Sequence, residues 1–412
     1  MMTDLIEPIQ SERVDHGSPA SSPHRRTSSS PRRRVALVLL LAIVLVAGVV
    51  TGIVAVTGSS SSPRAAGSGI RFITSVSRSY TPQKSYGTDD YHCTLVNPHI
   101  TANSFVVWSQ FKPGSGEVHH AVVSIVSPSF AAQALAANAS TGGKGRTCFG
   151  APSLPNASSV GDLLNTPYLG EWAPGHGADA LPKGTGIEFP PGSLLIEQVH
   201  YNLLVGDRPV TNSLVLKTVP ASTPLLPLHD TMAIAPPEIP CPTGVTGPLC
   251  NRSAELVNLG QRFGALAAQT PNLLSAACGQ NPSNPPLGDT ATCTWPINTN
   301  GYIVRAQGHM HLLGVGFSLV LNPGTPQART VVNVPNYSFH YQRAYNLSTP
   351  IPVRAGDKLQ VNCRFDPTLA QELPILRKLP PHFVTFGDGS SDEMCVGLVW
   401  TTSSLPNLHS AL

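Results

Sequence analysis

From Ile70 onward the apolar residues of this chain come in short runs, each cut off within strand length by proline, glycine or asparagine. Ser104-Phe-Val-Val-Trp108, Ala121-Val-Val-Ser-Ile125, Ser193-Leu-Leu-Ile196 and Ser213-Leu-Val-Leu216 are examples. Runs of that length, bounded by turn residues, read as strands. The chain holds 36 glycines and 40 prolines, and only 12% of its residues are charged, which favours many strands and tight turns over charge-laced helices. The body is therefore expected to be all-β, built as two sandwiches. One segment departs from the pattern. Asn251 to Ala277 contains Ala-Glu-Leu-Val-Asn-Leu-Gly and Phe-Gly-Ala-Leu-Ala-Ala, which is helical in character, and Cys250 and Cys278 frame it. Residues 241 to 293 read as a small helical insertion, either a disulfide-stapled cover or a lid.

The chain before residue 70 is of a different kind. Residues 1–34 are rich in Ser, Pro and Arg without apolar periodicity, the composition of a disordered tail. Val35 to Val56 then runs without a charge, long enough to span a bilayer core that needs roughly 20 residues. Arg32, Arg33 and Arg34 abut its start and no charge follows until Arg64. That asymmetry predicts a single-pass anchor over 35–57, with the N-terminus cytoplasmic and the body outside the plasma membrane. Residues 58–74 make a Ser/Gly/Ala-rich linker. Six arginines precede residue 35, the net charge is only +3, and no basic patch remains in the body, which excludes nucleic acid as the partner.

Eight cysteines, with no CxxC pair among them, argue against a zinc ribbon or a thioredoxin motif. An even set in a chain that leaves the cytosol reads as up to four disulfides, whose pairing the spacing leaves open.

Five histidines and a methionine stand apart from this scaffold, in Glu117-Val-His119-His120, Gln198-Val-His200-Tyr201, Gly308-His309-Met-His311 and Asp392-Glu-Met394-Cys395. Thioether grouped with imidazole points to copper, since soft sulfur suits Cu(I) while hard cations take oxygen. The order of three histidines, then two histidines with a methionine, suggests two sites. Residues two apart on a strand share a face, so His309 and His311 can reach one ion. His119 and His120 are adjacent and would point apart on a regular strand, so a shared ion requires a bulge or the use of different ring nitrogens. Any one of these histidines alone is an ordinary structural residue, and Met394 alone is ordinary core.

Taken together, these stretches resemble the copper type II, ascorbate-dependent monooxygenases. The resemblance runs in order through Asp89-Asp-Tyr91-His-Cys93, Glu117-Val-His-His120, Leu181-Pro-Lys-Gly184, Gln198-Val-His-Tyr201, His309-Met-His311, Gly356-Asp357, Cys363 and Ser390-Ser-Asp-Glu-Met-Cys395. The last of these is the most specific and His-x-His the least. The resemblance implies two jelly-roll-like antiparallel β-sandwich domains, over 75–225 and 226–412, and two coppers per chain facing each other across a solvent-filled cleft. His119, His120 and His200 would hold the electron-donating copper; His309, His311 and Met394 would hold the copper where dioxygen and a small-molecule substrate meet. Tyr91 and Gln198 would stand beside the first of these. Cys93 would pair with Cys148, and Cys363 with Cys395. The implied activity is hydroxylation of a C–H bond with O2 and ascorbate or a similar one-electron reductant. Against the peptide-hydroxylating branch, Gln307 stands where an arginine is expected and no tyrosine closely follows Met394, so a substrate carboxylate would lack its partner. The competing expectation is a copper-binding or copper-sequestering protein of the cell surface without turnover.

Overall fold

A computed structural model describes residues 69–84, 88–149, 168–203 and 205–409. The tail, the apolar run and most of the linker lie outside the described residues, and among the described ones no helix is long and apolar enough to cross a membrane.

The described chain is mostly β. Strands from residues 71–227 pair only with one another in the sheets, as do strands from 229–402. The first half makes a five-stranded sheet of Arg146–Thr147, Asp89–Val96, Leu194–Asn202, Val118–Val126 and Tyr168–Trp172, in that spatial order, and a six-stranded sheet built around Ser104–Lys112. Alternation does the work here: Leu195, Val199 and Tyr201 point one way, into a core with Val123 and Ile125, while Gln198 and His200 point the other. The second half sets Gly301–His309 and Val396–Thr402 side by side in a four-stranded sheet, beside a second four-stranded sheet centred on Lys358–Phe365 and Gly314–Leu321.

A bulge between Ile303 and Arg305 decides which face of the strand Gly301–His309 meets the first half. Beyond it, Ala306 and Met310 enter the second core, whereas Arg305, Gln307 and His309 turn toward the first half. Val396, Leu398 and Trp400 of the neighbouring strand join the first core in the same direction. The two halves are thus packed together by a mixed seam. Arg305 makes a buried ion pair in which its Nη2 donates to both Asp179 carboxylate oxygens, at 2.6 and 2.7 Å, and Gln307 donates to Glu171.

The insertion forms two helices, Arg252–Phe263 and Ala265–Ala277. The Asn251 side chain caps the first by accepting from the Ala254 N–H at 3.1 Å, and Glu255, Leu259 and Phe263 form its buried stripe at four-residue spacing. The open cysteine pairing resolves as Cys241–Cys250 and Cys278–Cys293, each closing its own side of the insertion. Cys93–Cys148 and Cys363–Cys395 pair as the resemblance implied.

Candidate metal centre

The first cluster grows from three adjacent strands. In register, Tyr91, His200 and His120 lie side by side across the sheet. The pairing shifts between Val118 and His120, so His119 is the extra residue of a bulge. That bulge is what lets two consecutive histidines serve one point. The candidate ligand nitrogens of His119, His120 and His200 all lie within 4.8 Å of one another.

Asp89 settles which nitrogen His200 offers. Its Oδ1 lies 2.7 Å from His200 Nε2 and also accepts from Ser390 Oγ at 2.8 Å. A carboxylate accepts only, so Nε2 carries the proton and the lone pair sits on Nδ1. Nδ1 of His200 faces Nδ1 of His119 at 3.3 Å, two ring nitrogens converging on one place. Burial pushes the Asp89 acid up, but the hydrogen bond and charge of His200, with Ser390 and Thr88, outweigh it and bring it down to about 2. Burial, then the charge of His200, holds His119 and His120 well below the ordinary imidazole range. Both are therefore neutral near pH 7, as a metal ligand must be.

Tyr91 stacks on His200 with ring centroids 4.1 Å apart and donates its hydroxyl to the Asp388 carbonyl. Gln198 lies two residues along the same face, its amide nitrogen 3.8 Å from Cys148 Sγ.

The second cluster is only partly a strand feature. His309 is the last residue of its strand and His311 lies in the turn after it, so the expected shared strand face is replaced by a turn that brings the two rings to 5.2 Å, nearly perpendicular. Glu393 shapes that turn: its two oxygens accept from the backbone N–H groups of His311 at 2.9 Å, Leu313 at 2.6 Å and Met394 at 3.2 Å. Burial raises the Glu393 acid to about 8 despite these three donors. Tyr337 brackets the backbone of Met310, accepting from its N–H and donating to its carbonyl. His309 Nδ1 meets the Gln342 side-chain oxygen at 2.7 Å, and His311 Nδ1 meets the Asp392 carbonyl at 3.1 Å. Both partners accept, so each ring carries its proton on Nδ1 and offers Nε2. Burial lowers His309 to about 4 and His311 to about 3. Met394 is half-buried, between Glu393 and the disulfide-bonded Cys395, two residues before Val396, which pairs with His309.

Among the described residues the two clusters stand close together rather than facing each other across the expected cleft. His120 and His309 approach to 6.0 Å between ring centroids, and Phe339 lies 4.4 Å from His119 and 5.6 Å from His311. The segment Gly387–Met394 reaches across here: Ser390 donates to Asp89 and the Asp388 carbonyl receives Tyr91. Arg262 of the insertion holds the same segment through Asp392 Oδ1 at 2.7 Å, and Phe263 packs on Phe149 at 4.8 Å. The insertion thus braces the second cluster. Asp89, Ser390, Gln342 and Glu393 carry roles that sequence reading did not assign; three of them lie inside the stretches singled out there, while Gln342 has no signal of its own.

Residues 289–403 match the family described as copper type II ascorbate-dependent monooxygenase, C-terminal domain. This span carries the C-terminal domain of that family. The matched span takes in His309, His311, Met394 and the Cys363–Cys395 disulfide. No curated protein matches the chain. Among solved structures, PNGF-II aligns at 11% identity with a TM-score of 0.32 over 82% of this chain and 66% of its own, so this chain spans just under two thirds of it. Allantoicase aligns at 9% identity and 0.17, over 70% of this chain and 79% of its own. Paenibacillus xanthan lyase aligns at 12% and 0.16, over 82% of this chain and 25% of its own. Likenesses this remote carry no inference.

Proposed function

We propose that the chain is a membrane-anchored, extracytoplasmic dicopper monooxygenase that hydroxylates a C–H bond of a small organic substrate with O2 and an ascorbate-like reductant. The observation that carries this reading is the trihistidine cluster of the first half, set against the His309–His311 pair of the monooxygenase span. Bound copper would supply one-electron redox chemistry and dioxygen activation.

The donor sets fit copper. His119, His120 and His200 would hold one ion; His309, His311 and Met394 would hold the other, the thioether suiting Cu(I). Asp89 fixes the His200 tautomer, Gln342 and the Asp392 carbonyl fix those of His309 and His311, and Glu393 holds the turn between them. Tyr91 walls the first set by stacking on His200. At Gln307 the amide is already engaged by Glu171, a pairing that offers a substrate carboxylate no cation. The apolar run Val35–Val56 behind Arg32, Arg33 and Arg34 supports an anchor with its N-terminus cytoplasmic.

A second reading, copper binding without turnover, draws on the closeness of the two clusters, which leaves His120 against His309. Ascorbate-dependent oxygen uptake by the detergent-solubilised full chain, measured beside its copper content, separates the two. Two coppers per chain with uptake lost in Met394→Ala is the expected result. Full copper loading with no ascorbate-dependent uptake, across a panel of small substrates, leaves only the binding role.

A further inference from the structure

The segment Phe339–Gln342 of the second half touches both clusters. Gln342 holds His309, and Phe339 lies between His119 and His311. Two residues of that segment, His340 and Tyr341, have no part in the arrangement above. His340 is exposed, and its ring stands 6.4 Å from that of His119, edge to face at 87°. No described residue hydrogen-bonds its ring nitrogens. Behind it most of the cluster is covered: His200 and Asp89 are buried, Tyr91 covers His200, and Phe339 covers His119, while His120 is half-buried. His119, at 8% exposure, is itself at the edge of that enclosure.

We propose that His340 is the receiving ligand for copper at the first cluster, binding the ion at the surface and passing it to His119. The inference rests on the copper reading above. Three physical points support it. Imidazole is a good ligand for copper in either oxidation state. An exposed side chain samples its rotamers within nanoseconds, so a ring unrestrained by hydrogen bonds can swing between solvent and His119. Copper moves between sites most readily when a new ligand attaches before an old one leaves, and a nitrogen–metal bond of about 2.0–2.1 Å on each side lets two rings share one ion when their nitrogens come within about 4 Å. A short rotation of His340 closes the remaining distance. No bond to protein other than the coordinate bonds changes, and no electron is transferred, because the ion is handed over in one oxidation state.

The test is copper uptake by the apo full chain, using Cu(I) presented by a chromophoric chelator and followed by stopped-flow absorbance. In His340→Ala, uptake at the first cluster should slow by at least about tenfold while the final stoichiometry and affinity stay those of the parent. His340→Met, which restores a soft ligand at the same place, should recover most of the rate. Because residue 340 is exposed, neither substitution disturbs the core. Uptake at the parent rate in His340→Ala overturns the proposal. So does a loss of equilibrium affinity equal to the loss of rate, which would make His340 a resident ligand, and so does failure of methionine to rescue. A parent chain that takes up no copper at all would instead defeat the functional reading on which this rests.

Discussion

Asp89 joins the two halves of the molecule through one carboxylate oxygen, which faces His200 Nε2 and receives the Ser390 hydroxyl. Asp89→Asn keeps the shape but removes the charge that fixes the His200 proton, so copper affinity at the first cluster should fall by about 10–100-fold with the second cluster unaffected. Site-resolved copper titration checks this; equal losses at both clusters would assign Asp89 a purely structural role. Glu197 behaves in the opposite sense. It is buried in the first half, one carboxylate oxygen has no partner, and burial raises it to about 7. A carboxyl raised in the folded state stabilises below its unfolded value of about 4.5, and that contribution is lost as the pH rises through about 7. Glu197→Gln should therefore unfold with less pH dependence between about 4.5 and 8, gaining about 1–3 kcal/mol over the parent at the alkaline end. Denaturant melts across that range decide it, and parallel pH profiles for the two proteins would count against the assignment. The clustering of His119, His120 and His200 was legible because imidazole and thioether side chains in a copper pattern are rare. Glu197 was not, since a glutamate in an alternating strand gives no sign that it faces the core.

The elements show where local sequence suffices. The adjacency of His119 and His120 demanded a bulge or a split use of ring nitrogens, and the strand pairing shifts at that point. The helical runs and the cysteines framing them made the insertion readable, and its helices begin and end within those limits. Its docking was hidden, because Arg262 and Asp392 are 130 residues apart and nothing in either neighbourhood names the other. A separation of 82 residues likewise hid the turn at His311, which depends on Glu393 rather than on the strand that precedes it. Arg262 compensates two buried carboxylates, Glu255 and Asp392. Its removal leaves both uncompensated, so Arg262→Ala should cost about 3–5 kcal/mol of stability, the usual result of breaking a buried pair from one side. Thermal melts measure it. A loss below 1 kcal/mol would show that water reaches the pair and that the insertion is only a cover.

At the scale of the molecule, the seam sets how close the two clusters stand. It combines an apolar part, Val396, Leu398 and Trp400 in the first core, with polar links that have definite geometry: Arg305 to Asp179, Gln307 to Glu171, Tyr91 to Asp388 and Ser390 to Asp89. Sequence spacing placed the clusters on separate halves but contained no term for the approach of one half to the other, so the cleft implied by resemblance gave way to contact between His120 and His309. That contact has a magnetic consequence. On the dicopper reading proposed above, Cu(II) ions held by rings 6.0 Å apart would lie close enough for their spins to couple, which would broaden the resonance of each. Tyr91→Phe with Ser390→Ala removes the two hydrogen bonds that the Gly387–Met394 segment sends to the first half. At about 1 kcal/mol each, their loss weakens closure by about 2 kcal/mol, roughly a thirtyfold change in the ratio of closed to open forms. The doubly loaded parent should give a broadened spectrum, and the double variant should shift intensity toward two narrow, independent signals with the same total copper. Narrow signals already present in the parent would mean that the loaded protein stands open, and that metal binding itself separates the halves.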